Sequence, residues 1–184
     1  MPPKVKISKE DIVTAAVQIV RAEGAEALNA RNIAQALHCS TQPIFSNFAT
    51  MDALRRAVIE RADALCQIYY QTEMEKKEFP AYKAKGMGYI RFAKEEKELF
   101  KLLFMRDRTG EDDCPEDSET EAIVKDNTGL DESLVKLFHL EMWAFVHGIA
   151  AMSATGFLNL ERPLISQMLT DTYNGLRKQY GIEE

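Results

Sequence analysis

Cysteine is scarce in this chain of 184 residues: three, at Cys39, Cys66 and Cys114. An odd number at wide, irregular spacing supplies neither a disulfide framework nor a zinc site. The three are therefore expected as reduced thiols in a cytoplasmic protein. Cys114 lies among acidic residues, which raise a thiol's pKa rather than activate it. Histidine is equally sparse, and His38, His139 and His147 are scattered. No Glu/His set has metal-ligand spacing, so no metal is expected. Neither a glycine-rich phosphate loop nor a nucleophile elbow occurs. Hence no catalytic residue and no cofactor are assigned, and the chain is not expected to be an enzyme. No uninterrupted apolar run approaches membrane-spanning length, and no signal-peptide pattern opens the chain, so no membrane partner is expected.

Positive charge is also in deficit. The net charge of −6 argues against a general nucleic-acid binder. Its distribution is uneven, however. Residues 1–61 carry 8 Lys/Arg against 6 Asp/Glu, and the remainder 15 against 23. A slightly basic head on an acidic body has the sign that a DNA-facing domain needs.

Within that head, residues 28–54 (LNARNIAQALHCSTQPIFSNFATMDAL) organise the chain. Asn29 is a good helix N-cap, and Ile33, Ala34 and Leu37 then share one helical face. His38 and Cys39 break the helix, and Ser40 can cap the next one. Pro43 falls in that helix's first turn, where no intrahelical N–H is lost. Ile44 and Phe48 point back, leaving Thr41, Gln42, Phe45, Ser46 and Asn47 outward. A helix held by its back with small polar groups at its exposed end suits reading a DNA major groove.

Residues 12–62 resemble the DNA-binding domain of TetR-type transcriptional regulators. The resemblance is carried by Ile12, Ala15, Ala16, Gly24, Leu28, Arg31, Ile33, Ala34, Leu37, Ser40, Ile44, Phe45, Phe48, Asp52 and Leu54. A second similarity, to one branch of the family, lies in MWAFVHGIAAM with Trp143, His147 and Gly148. The resemblance implies an all-α protein. A helix-turn-helix domain over 1–50 would precede a helical ligand-binding and dimerisation domain over 51–184, with about nine helices in all. It further implies a homodimer on a palindromic operator in double-stranded DNA, and a small-molecule effector. Two positions depart from the family pattern. Tyrosine is usual at Phe45 and lysine at Met51, and both typically touch DNA phosphates. Removing a cationic group from a phosphate lowers affinity without changing sequence preference much.

In chain order, Lys4, Lys6 and Lys9 form a basic arm suited to a phosphate backbone. The first helix is expected over 9–22, capped by Ser8 with Asp11 as its acidic partner, and ended by Gly24. Thr50 should cap a long helix over 51–76 with Leu54, Val58, Leu65, Tyr69 and Thr72 on one face. Further helices are expected over 80–93 and 95–105. An acidic loop over 106–119 follows. A short helix over 120–126 precedes a helix over 131–155 that is apolar all round between Met142 and Met152. The last helix spans 163–179, with Pro163 in its first turn. A helix apolar on every side needs cover on every side. The last two helices are therefore expected to form a four-helix dimer interface through Met142, Phe145, Ile149, Met152, Leu164, Met168, Leu169 and Leu176.

Candidate DNA-contacting residues are Lys6, Arg31, Ser40, Thr41, Gln42, Pro43, Phe45, Ser46, Asn47, Thr50 and Met51, with Gln42 the best base reader. Candidate effector-pocket residues are Leu65, Tyr69, Tyr89, Phe92, Phe100, Phe104, Trp143 and His147. Buried histidine is usually a hydrogen-bonded core residue, so His147 reads either as core or as a polar anchor. The expected function is a repressor released from its operator by a small, mostly apolar ligand. The competing reading is a helical small-molecule-binding or interaction module whose DNA head is weak or lost.

Overall fold

The computed structural model describes residues 7–109 and 117–182. Lys4, Lys6, Cys114 and half of the acidic loop, 110–116, lie outside the described residues. Among those described there are nine α-helices and no strand. The helices are α1 (Lys9–Glu23), α2 (Ala30–Ala36), α3 (Gln42–Asn47), α4 (Met51–Glu75), α5 (Ala81–Glu95), α6 (Lys97–Phe104), α7 (Ser118–Thr128), α8 (Glu132–Ala154) and α9 (Arg162–Gln179). The chain divides into two compact units. The first holds Met1–Leu65 and Glu96–Arg106; the second holds Cys66–Glu95 and Asp107–Glu184.

In the first unit, the α1 start is fixed by a reciprocal capping box. The Asp11 N–H donates to Ser8 Oγ at 3.0 Å, and the Ser8 N–H donates to Asp11 Oδ2 at 2.9 Å. Gly24 ends the helix at φ 85°, in the region that favours glycine. Ile12, Ala16 and Val20 from α1 meet Ile33, Ile44, Leu54 and Val58 in a core with almost no exposure. α6 packs on α1 and buries Leu99, Phe100, Leu102 and Leu103. Arg21 and Glu96 close that contact with an ion pair of 2.7 Å.

In the second unit, α5 is the central helix, packed by α7, α8 and α9. Its contact face includes two residues that amphipathic reading assigns to solvent or leaves unassigned. Lys85 is 8% exposed, and Gly88 approaches the α4 backbone. Val124, Val135, Phe138 and Met142 form a core cluster, with Tyr82, Tyr173, Leu176 and Tyr180 packed against it. The α7 helix is longer than the expected 120–126: Asp117 caps it through the Thr120 N–H at 3.1 Å, and Gly129 closes it at φ 68°.

α8 is the one helix among the described residues that is long and apolar enough, by length and composition, to cross a membrane. The sequence expectation that nothing approaches such a span is corrected to that extent. Glu132, Lys136, His139 and Glu141 interrupt it, and Val135, Phe138, Met142, Val146, Ile149 and Ala150 are buried in its own unit.

Candidate nucleic-acid interface

The candidate interface is assembled from α1, α2 and α3 in the first unit. The Asn29 side chain accepts from the Asn32 N–H at 3.0 Å and starts α2. His38, at φ 50°, makes the reversal into α3. A non-glycine residue tolerates that conformation only in such turns. Ser40, the cap expected from sequence, does not cap α3. Instead Thr41 is the flanking residue, without a side-chain cap bond, and Pro43 sits in the first turn. Ile44 and Phe48 are buried against α1 and hold the short helix by its back.

The opposite face of α3 is open. Thr41, Gln42, Phe45, Ser46 and Asn47 are all exposed, and Phe45 shows 51% of its surface. Ser46 Oγ donates to the Gln42 carbonyl at 2.9 Å, and Asn47 Nδ2 donates to the Pro43 carbonyl at 2.8 Å. Both side chains thus spend a donor on their own helix. The Gln42 amide makes no such bond. Thr50 Oγ1 accepts from the Ala53 N–H at 3.1 Å, so it caps α4 as expected. Pro43 and Met51 are half-buried, and Ser40 and Arg31 are exposed.

Cations divide into spent and unspent. Arg21 pairs with Glu96, and Arg61 pairs with Glu10 at 2.7 Å. Among the described residues, Arg31, Arg55 and Arg56 are exposed and make no ion pair. Sequence reading overlooked Arg55 and Arg56. The signal was present, because they follow Met51 by one helical turn.

The expected effector-pocket residues fall in different units. Leu65, Phe100 and Phe104 belong to the first, where the Phe100 and Phe104 rings meet tilted at 46°, 5.1 Å between centroids. Tyr69, Tyr89, Phe92, Trp143 and His147 belong to the second. There Phe92 is fully buried and meets Tyr69 edge-on at 5.4 Å. The Tyr69 hydroxyl donates to Glu95 at 2.9 Å. Tyr89 and His147 are paired: the hydroxyl and Nδ1 lie 2.8 Å apart, and Trp143 stacks on the imidazole at 4.9 Å. A second pair runs beside it, with the Tyr82 hydroxyl 3.1 Å from His139 Nδ1. Burial lowers the pKa of both histidines and favours the neutral rings. A surface concavity of about 410 Å³ in the first unit, between α1 and α4 near Val13, Ala57 and Arg61, is lined by none of these residues.

Two further polar clusters escaped sequence reading. Lys85 Nζ donates to Thr120 Oγ1 and pairs with Glu119 at 3.2 Å and Asp117 at 3.3 Å. Glu73, 1% exposed, accepts from Lys76 at 2.6 Å, from Arg162 at 3.0 Å and from Arg91. Burial pushes the Glu73 carboxyl up, but its hydrogen bonds from Lys76, Arg162 and Arg91 outweigh that and hold it at about 2. Glu73 continues the Leu54, Val58, Ala62, Cys66, Tyr69 stripe at helical spacing. An acid on an apolar stripe is the pattern that could have revealed it.

No family model matches the chain, and no curated protein matches it. Solved structures do. A TetR-like transcriptional regulator from Rhodococcus sp. RHA1 aligns over 98% of this chain and 99% of its own, with a TM-score of 0.67 and 15% identity. The chain has the TetR-like regulator fold. A member of the TetR family from Streptomyces coelicolor A3 aligns over 89% of this chain and 96% of its own, with a TM-score of 0.61 and 16% identity. Among TetR-like folds, then, this chain shares architecture with both and little sequence with either.

Proposed function

We propose that this chain is a dimeric DNA-binding transcriptional regulator that reads a palindromic operator with α3. The observation that carries this reading is the two-sided character of α3: Ile44 and Phe48 are buried behind it, while Thr41, Gln42, Phe45, Ser46 and Asn47 are exposed. Gln42 is the base reader, since its uncommitted amide can be bidentate to adenine. Arg31, Thr50, Met51 and the basic arm with Lys6 position the backbone, and Arg55 and Arg56 supply charge that Met51 lacks.

The dimer forms through α8 and α9, with a revised set of residues. Met142, Ile149 and Leu169 are buried in their own unit, which takes them away from a partner, and Leu176 is half-buried against its core cluster. Phe145, Met152 and Met168 are half-buried. Exposed positions are Leu137, Leu140 and Ala144 on α8, with Gly148 half-buried one turn on, and Leu164 and Gly175 on α9. Cβ atoms built on Gly148 or Gly175 would meet nothing within 4 Å. That open apolar row suits a second copy of the chain.

A small, mostly apolar effector releases the repressor from DNA. The Tyr89–His147 pair is its polar anchor within apolar surroundings. Release requires that the effector bind the DNA-competent and DNA-incompetent arrangements with different affinity. A mobility shift of a random duplex pool at low salt, repeated with added salt, tests the core of this reading. A shift that weakens steeply with salt is expected. No shift from a folded protein would favour the alternative of a helical binding module without DNA recognition, which the missing phosphate-binding groups at Phe45 and Met51 motivate.

A further inference from the structure

Phe45 is the most exposed aromatic residue of the first unit and stands in the middle of the outward face of α3. Burial elsewhere in that unit is thorough: Ile44 and Phe48, its neighbours on the helix, are 0% and 3% exposed. A half-exposed phenyl ring between polar residues costs solubility and contributes little to the head's own packing. In the same unit, Arg31, Arg55 and Arg56 are exposed and without ion pairs among the described residues, so the unit carries positive charge fit for phosphates. The polar residues flanking Phe45 are partly committed, because Ser46 donates its hydroxyl and Asn47 one amide hydrogen to carbonyls of their own helix. Gln42, one turn before Phe45, is uncommitted.

We propose that Phe45 is a specificity-determining residue that packs on the C5-methyl group of thymine in the major groove, next to an adenine read by Gln42. The inference rests on the DNA-reading function proposed above. The thymine methyl is the apolar feature that distinguishes major-groove base edges, and a phenyl ring is a suitable partner for it. Gln42 and Phe45 are three residues apart, about 4.5 Å along a helix axis. Successive base pairs are about 3.4 Å apart. The two side chains therefore address neighbouring positions, and each half-site carries a thymine one or two steps from the adenine. A phosphate cannot be the partner of this ring, because phenylalanine offers neither a donor nor a charge.

The test uses the full chain and the operator enriched by selection from random duplexes. Uracil replaces thymine at the candidate position, which removes the methyl group and leaves pairing and the other base edges intact. Wild type is expected to lose about four-fold in affinity per half-site, or roughly fifteen-fold for the palindrome, from the transfer value of one methyl-sized group. Phe45→Ala is expected to bind the thymine and uracil operators equally, at the level of wild type on uracil. Binding retained at that level also shows that the variant is folded. Equal affinity of wild type for the two operators overturns the proposal. So does a loss in Phe45→Ala as large as in wild type, because the methyl would then act through DNA shape. If no sequence is enriched at all, the DNA-reading function fails and the role of Phe45 falls with it; enrichment without any effect of uracil removes only the role of Phe45.

Discussion

A Cβ atom built on Gly88 would stand 2.8 Å from the carbonyl oxygen of Tyr69 and 3.0 Å from the Tyr70 Cα. The obstacles are backbone atoms, so no rotamer change relieves them. Gly88→Ala is expected to destabilise the protein by about 1–3 kcal/mol, as overpacking does. Gly86→Ala is the control. Its Cβ would meet Leu169 and Val146 at 3.6 Å, ordinary contact, and alanine favours the helix by roughly 0.5–1 kcal/mol. Urea unfolding of the two variants should therefore move in opposite directions.

Glu73 makes the acid limb of the stability curve. Its carboxyl ionises at about 2 in the folded chain against 4.5 for a free glutamate, so folding favours the ionised form. The stabilisation is complete above about pH 4.5 and is lost as pH falls from there towards 2. Glu73→Gln leaves Arg91, Arg162 and Lys76 facing a neutral group. It is expected to cost about 1–3 kcal/mol at neutral pH, since the three cations stay partly exposed to solvent, and to flatten this part of the acid limb. Chemical denaturation at several pH values checks both effects.

The two tyrosine–histidine pairs act at milder pH. Burial lowers both histidine pKa values below 6.5, so the unfolded chain takes up protons that the folded chain resists. Their contribution to stability is complete above about pH 6.5 and declines as pH falls below it. Replacing His147 by Asn, which keeps a polar atom near the Tyr89 hydroxyl, should remove part of the decline. Stability measured between pH 5 and 7 for both proteins reads the difference.

Position 148 separates self-association from folding. A Cβ atom built on the half-buried Gly148 meets nothing within 4 Å, so Gly148→Arg starts its side chain into open space. It should leave unfolding within about 0.5 kcal/mol of wild type, as surface changes do. Sedimentation should nevertheless report a monomer where wild type sediments as a dimer. A dimer that survives both Gly148→Arg and Leu140→Glu would place the interface elsewhere.

Phosphate and base recognition should part company in the head. Arg31→Ala is expected to weaken binding about equally for all sequences and to reduce the salt slope by roughly 0.9 for each phosphate it no longer neutralises. Gln42→Ala is expected to relax preference at one base pair per half-site, with a discrimination loss of about 1–3 kcal/mol. Binding curves on the operator and on single-base variants distinguish the two patterns.

How much of this was legible in sequence depended on how local the determinant was. Helix starts were readable, because Ser8–Asp11, Asn29–Asn32 and Thr50–Ala53 are contacts within one turn. The inward faces of α2 and α3 followed from helical spacing. Ser40 misled, because the His38 turn sets the entry into α3 and leaves Thr41 beside the helix. The inward positions of Met142, Ile149 and Leu169 were not readable. In an apolar stretch such as Met142–Met152, periodicity cannot tell which side meets the chain's own core and which is left open. Lys85 was hidden for a related reason: its partner Thr120 lies 35 residues away. Glu73 showed itself as an acid on an apolar stripe, but the Arg162 that pairs with it lies 89 residues away and could not be read from local spacing.

The central claim is that α3 reads DNA as a pair. Selection of bound sequences from a random duplex pool by the full chain, followed by sequencing, tests it most directly. The account predicts enrichment of an inverted repeat with half-sites about one helical turn apart, each containing an adenine with a thymine beside it. Recovery of unselected sequence from a folded protein would contradict it.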